Sequence, residues 1–260
     1  MAKTTLITGA SSGIGYELAK IFARQKYNLV LVARSENKLN EIAAELKKAH
    51  GVDVVVLPKD VSLLASSQEI YDAVKQKGID VEILVNNAGF GDFGFFTETK
   101  WEKELEMINL NMTALTALTK LFVRDMVRRK SGKIMNVAST ASFQPGPLMA
   151  VYYATKAYVL SFSEAISNEL QGTGVTVTVL CPGPTESGFQ NAAAMNDSKL
   201  VKGKKLPTSQ DVAEYAYKAL MNGKVVAVHG LMNKIMAQSV RYSPRAVVRS
   251  LVRAMSERTH

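Results

Sequence analysis

Apolar runs of strand length alternate along this chain with longer stretches whose apolar residues recur at helical spacing. Residues 4–8, 28–33, 52–57, 82–86, 133–138, 175–180 and 225–229 predict seven strands. Residues 13–25, 36–49, 63–76, 101–129, 152–171 and 209–221 predict the helices that follow the first six. Runs such as Ile83-Leu84-Val85 are apolar on both faces, as expected when helices cover both sides of a parallel sheet. The alternation predicts one α/β domain over residues 1–260: a doubly wound parallel sheet of about seven strands with helices on both faces. Its ligand crevice should lie at the carboxyl ends of the strands.

Two stretches break the rhythm. Residues 187–205 are long, rich in small and polar residues, and carry Lys199, Lys202, Lys204 and Lys205; this predicts a substrate lid. Residues 231–260 form a C-terminal helical extension in which Ser243-Pro244 reads as an N-cap followed by proline at the first helical position. There Arg241, Arg245, Arg249 and Arg253 recur every fourth residue, with Val247, Val248, Leu251, Val252 and Met255 on the other side.

Composition narrows the classes. A chain of 260 residues with 47% hydrophobic content can bury a substantial core, and a net charge of +9 favours anionic ligands. Cys181 stands alone, so no intrachain disulfide can form, and its place after an apolar strand suggests a buried, inert thiol. No metal site is expected. The absence of a leader pattern or a span of ~18 apolar residues makes the cytoplasm the expected location. No basic cluster is interleaved with exposed aromatics, so nucleic acid is not an expected partner. The C-terminal arginine stripe fits either weak contact with an anionic membrane surface or an ordinary solvated helix face.

The residues that carry chemistry cluster at predicted strand ends. Gly9, Ser11, Ser12, Gly13, Ile14 and Gly15 occupy a strand-to-helix turn, where glycines allow close approach and the helix N-terminus attracts a pyrophosphate. Tyr152 and Lys156 are four apart and share one helix face; a neighbouring ammonium would favour the phenolate and make the pair an acid/base toward an alcohol or carbonyl. Ser139 ends a strand and can orient a substrate oxygen, with Thr140 and Ser142 as rivals. Asn111 sits in mid-helix, where asparagine is disfavoured. Asn86-Asn87-Ala88-Gly89 suits a crevice wall or a plain turn. Asp60-Val61 suits an adenine contact or a cap for the helix from Leu63.

Taken together, these motifs closely resemble the short-chain dehydrogenase/reductase family over roughly residues 3 to 230. The resemblance implies a Rossmann-type fold, a nicotinamide dinucleotide and hydride transfer between carbonyl and alcohol. It implies Tyr152 as acid/base, Lys156 as holder of the nicotinamide ribose, Ser139 as polariser of the substrate oxygen and Asn111 as support for a water relay. The glycine turn, Asp60, Val61, Asn86, Ala88, Gly89, Pro182, Gly183 and Thr185 become coenzyme contacts by the same resemblance. Ser187 stands where the family often has threonine. Homodimers or homotetramers are also implied.

The end of the second strand carries Ala33-Arg34 in place of the carboxylate usual for NAD, which predicts NADP(H) over NAD(H). Phe90, Phe93, Phe95, Phe96, Phe143, Leu148, Met149, Phe189 and Met195 predict an apolar wall, with Phe143, Phe189 and Ser139 as substrate contacts. The expected partner is therefore an apolar carbonyl compound such as a ketone, acyl compound or steroid. The rival reading is a non-catalytic NADP(H) sensor or partner-binding protein that retains the fold, though a sensor needs no acid/base tyrosine.

Overall fold

A computed structural model describes residues 3–189, 193, 198, 203 and 205–257. Its strands are β1 (Thr4–Thr8), β2 (Asn28–Ala33), β3 (Val54–Pro58), β4 (Val81–Asn86), β5 (Gly132–Val137), β6 (Val175–Cys181) and β7 (Val226–Val228). They form a single parallel sheet in the order β3-β2-β1-β4-β5-β6-β7. The order reverses between β1 and β4, which places a crevice at their carboxyl ends.

Alternate residues of each strand feed opposite cores. Ile7 joins a cluster with Leu18 and Phe22 of α1 (Gly13–Arg24), Leu39 and Leu46 of α2 (Glu36–His50), and Val212. Its neighbour Leu6 joins the other face with Ile70 and Val74 of α3 (Ser66–Gln76) and with Leu118 and Phe122. This two-sided burial explains why the strands read as continuous apolar runs.

Several expected boundaries move for local reasons. The helix expected over 101–129 is three pieces: α4 (Trp101–Ile108), a π-helical turn (Asn109–Ala114) and α5 (Leu115–Arg129). Such turns insert an extra residue and recur at functional sites. Asn111 lies inside this one and is 1% exposed. α3 starts three residues later than expected because Asp60 organises a turn first: its carboxylate accepts from the Ser62 N–H and hydroxyl, and its carbonyl accepts from the Ser66 hydroxyl. α6 (Ala150–Glu169) carries Tyr152 in its first turn, and α7 (Ser209–Met221) begins behind a capping box of Thr208 and Asp211.

The extension contributes α8 (Leu231–Tyr242) and α9 (Arg245–Ser256). Ser243 does not cap α9; its hydroxyl donates back to the Ser239 carbonyl and closes α8. No described helix is long and apolar enough to cross a membrane.

Candidate active site

The glycine turn lies at the mouth of the crevice. Gly9 and Gly13 have φ of +67° and +55°, the left-handed region that glycine enters without strain. A Cβ on Gly9 would lie 2.8 Å from Asn87 Nδ2 and 2.9 Å from Ala88 Cα, and one on Gly15 would lie 2.3 Å from the Gly9 carbonyl oxygen. Gly15 therefore packs behind the turn, while Gly9, Ser11, Ser12, Gly13 and Ile14 line a cavity of about 950 Å³. Ser12 begins α1 without a side-chain cap, and no acidic residue occupies the first turn. The free N–H groups and positive dipole end thus open onto the cavity, the arrangement that holds a pyrophosphate.

The adjacent asparagines divide the tasks expected of one. Asn87 Nδ2 donates to the carbonyls of Thr8 (3.0 Å) and Gly9 (3.1 Å), while the Thr8 hydroxyl accepts from the Asn87 and Ala88 N–H groups. Asn87, Ala88 and Gly89 line the cavity; Asn86, expected as a coenzyme contact, does not. Its Nδ2 donates instead to Thr119 Oγ1 (3.0 Å) and Asn136 Oδ1 (2.9 Å), and Asn136 Nδ2 continues to Ser163 Oγ (2.9 Å). Successive strand residues point to opposite faces, so only one of the pair can reach the crevice.

On the far side, α6 brings Tyr152 and Lys156 into the same buried space. Lys156 Nζ lies 5.9 Å from the Tyr152 ring centroid and donates to the Val137 carbonyl at 2.9 Å. Ser139, just beyond β5, lines the cavity beside the phenol. Its hydroxyl accepts from the Ala141 N–H and donates to the Pro182 carbonyl. Ser142, a rival by composition, instead donates to the Lys156 carbonyl at 2.7 Å and supports the helix. Asn111 stands behind the wall: Oδ1 accepts from the Phe90 N–H, and Nδ2 donates to the Phe90 carbonyl and Thr155 Oγ1. A Cβ on Gly89 would meet Asn111 Oδ1 at 2.9 Å and Lys156 Nζ at 3.2 Å, so these groups converge on one point.

A family model described as short chain dehydrogenase matches residues 3–198. The chain belongs to the short-chain dehydrogenase/reductase family. It is 35% identical over 70% of its length to the mouse (Mus musculus) protein named 17-beta-hydroxysteroid dehydrogenase type 3. It is 36% identical over 66% of its length to a very-long-chain 3-oxoacyl-CoA reductase of Pyrenophora tritici-repentis. The chain spans only 60% and 52% of those two proteins' own lengths. A solved short-chain dehydrogenase from Sphingobium yanoikuyae in complex with NADPH superposes with a TM-score of 0.83, at 31% identity, covering 92% of this chain and 94% of that one. Another solved relative, at 26% identity, holds NAD instead. Both of these solved relatives hold a nicotinamide coenzyme.

The residues present fit such a coenzyme along the whole crevice. Arg34 lines its outer end with Ser35 and Lys59; Arg34 is largely exposed, 3.6 Å from Glu106, and Lys59 sits 2.5 Å from Glu69. Asp60 and Val61 line the same end. Pro182, Gly183 and Thr185 line the inner end, where the Thr185 hydroxyl donates to the Gly183 carbonyl at 2.9 Å.

Electrostatics in this short-chain dehydrogenase/reductase site depart from the expected pattern. Burial raises the Tyr152 pKa well above its usual value, and the neighbouring Ser139 hydroxyl opposes only part of that rise. Lys156 is not among the groups that shift the phenol, and burial also works against the ammonium, pulling it down to about 8. Burial pushes the Cys181 thiol up to about 12, which makes it a poor nucleophile.

The wall around Tyr152 is apolar, but its makeup differs from expectation. Phe189 packs 5.3 Å from the Tyr152 ring and lines the cavity with Phe90 and Met149. Phe143 does not; it packs with Leu115, Ala138 and Val159 under α6. Phe95 and Phe96 are exposed. α8 and α9 supply wall residues that the sequence did not single out for this role, including Met232, Met236 and Val240, with Val252 and Met255 from α9. Of the lid expected over 187–205, Ser187, Gly188, Phe189 and Lys205 line the cavity. Residues 190–192, 194–197, 199–202 and 204, which include Met195 and three of the four lysines, lie outside the described residues.

Proposed function

We propose that this chain is an NADP(H)-dependent reductase of an apolar ketone or acyl carbonyl compound. The observation that carries the reading is the Tyr152 phenol, proton retained by burial, facing an apolar wall beside Ser139 and across from the glycine turn. When bound, the coenzyme supplies a hydride to the carbonyl carbon. The protein groups handle what remains. Ser139 donates to the carbonyl oxygen and orients it, and Tyr152 delivers its proton as negative charge develops there. A phenol is protonated at neutral pH and so has a proton to give, and burial makes it a weaker acid than a free tyrosine. Asn111 holds the Phe90 backbone beside the site, and Lys156, fixed to the Val137 carbonyl, stands next to the Tyr152 ring.

Arg34, backed by Ser35 and Lys59, supports preference for a 2′-phosphate, because a guanidinium pairs with phosphate in a fixed fork. The apolar wall supports a hydrophobic substrate, in keeping with the steroid and long-chain acyl names of two relatives. NADPH consumption against ketones, steroids, acyl thioesters and quinones tests the class. Tyr152→Phe should lose turnover by at least about 1,000-fold on the general-acid scale while keeping NADPH affinity. A variant that turns over undiminished removes the tyrosine from the mechanism; a wild type that binds NADPH but reduces nothing in the panel points to the sensor reading.

A further inference from the structure

The C-terminal extension turns one side to the active-site wall and leaves other apolar side chains exposed. On α8, Ala237 is buried and Met232, Met236 and Val240 line the cavity. Leu231, Ile235 and Tyr242, four and seven residues apart, form a separate stripe exposed at 74%, 53% and 87%. On α9, Val248 and Val252 are buried, Val247 is 59% exposed, and Leu251, also 59% exposed, borders the cavity. Apolar exposure on this scale along two adjoining helices marks an interaction surface.

Charge selects the occupant. Residues 231–257 carry five basic side chains (Lys234, Arg241, Arg245, Arg249 and Arg253) against one acid, Glu257. Arg253 is engaged by Glu257 and by the Phe95 ring, and Lys234 lies over Tyr215. Among the described residues no carboxylate pairs with Arg241, Arg245 or Arg249. A second copy placed symmetrically on this face would set cationic helices against each other. An anionic lipid surface would accept both features, taking the apolar side chains among its acyl chains and the guanidiniums among its phosphates.

We propose that α8 and α9 dock this protein on an anionic bilayer surface, with Leu231, Ile235 and Tyr242 entering the interface and Arg241, Arg245 and Arg249 contacting headgroups. Met232 and Met236 face the cavity from the same helix, so its mouth would open beside the lipid. That consequence rests on the reductase reading; the docking does not, because it requires neither coenzyme nor turnover.

Co-sedimentation of the full chain with phosphatidylcholine vesicles, with and without phosphatidylserine, tests the proposal. Binding should require phosphatidylserine and fade as salt is raised. The triple variant Arg241→Gln/Arg245→Gln/Arg249→Gln should weaken it by about fivefold per residue, about a hundredfold together. Leu231→Asp/Ile235→Asp, at exposed positions, should abolish it with unchanged circular dichroism; should that variant misfold, the arginine variant decides alone. Three results overturn the proposal: no pelleting with either vesicle, pelleting undiminished in both variants, or self-association in solution that Leu231→Asp/Ile235→Asp dissolves without any vesicle binding.

Discussion

Replacing each of two neighbouring asparagines by alanine should break different things, although the residues differ only in which side of β4 they face. Asn87 Nδ2 holds the Thr8 and Gly9 carbonyls at 3.0 and 3.1 Å, and its backbone N–H holds Thr8 Oγ1. Asn87→Ala removes the two amide bonds and leaves the backbone bond in place. At a net ~1 kcal/mol per hydrogen bond, the turn loses about 2 kcal/mol of restraint. Restraint lost from a binding loop must be restored by the ligand, so NADPH should bind about thirtyfold more weakly. Global stability should change little, because the half-open site lets water replace the amide.

Asn86→Ala removes the donor shared by Thr119 of α5 and Asn136 of β5, both buried. Unpaired buried acceptors plus a small void should cost about 2–4 kcal/mol of stability. Urea unfolding and fluorescence titration with NADPH separate the two outcomes. The reasoning is refuted if Asn86→Ala weakens coenzyme binding more than Asn87→Ala does, or if Asn87→Ala is the less stable protein.

Three further predictions follow from the same geometry. Arg34→Leu should weaken NADPH binding by about tenfold to a hundredfold, the worth of charge-assisted hydrogen bonds, and leave NADH affinity nearly unchanged; parallel losses for both coenzymes would place Arg34 outside the phosphate site. Lys156 has its folded pKa lowered from 10.5 to about 8, so the unfolded chain binds more protons between those values. Stability of the nucleotide-free protein should therefore rise from pH 8 toward 10, measured by urea unfolding, and Lys156→Met should remove that rise. Burial raises the Tyr152 pKa, so the opposite slope belongs to that group: above pH 10 stability should fall again, and Tyr152→Phe should soften that fall.

The strands and their parallel sheet were legible because both-face burial writes itself as apolar runs, and β1 and β2 carry their exact expected bounds. The glycine turn was legible because few residues besides glycine tolerate contacts such as those at Gly9 and Gly15. What stayed hidden was direction. Asn86 and Asn87 read alike until the register of β4 fixes which faces the crevice. Phe143 and Phe189 are equal as hydrophobes, yet only Phe189 reaches the cavity, because Phe143 ends a short 3-10 turn (Thr140–Phe143) that tucks it under α6. Asn111 was recognisable as anomalous in a helix, but the π-helical turn that aims its amide at Phe90 and Thr155 leaves no signature in apolar spacing. The extension's share of the cavity wall was invisible for a different reason: periodicity shows that a helix has an apolar side and says nothing of where that side is placed.

The pKa reversal at Tyr152 shows how the same burial serves two ends. Withdrawing the site from water costs stability, since an ammonium pulled down to about 8 is still charged at neutral pH and still buried. That cost falls on Lys156, which donates to one backbone carbonyl and stands beside no carboxylate among its shifting influences. An anionic ligand in the cavity would relieve it, so the strain becomes a source of coenzyme affinity. The phenol experiences the same dry surroundings in the opposite sense, because its neutral form is the protonated one. Burial therefore leaves the site with its proton on Tyr152 and an unbalanced positive charge at Lys156, a charge that suits the anionic hydride donor of the proposed reduction.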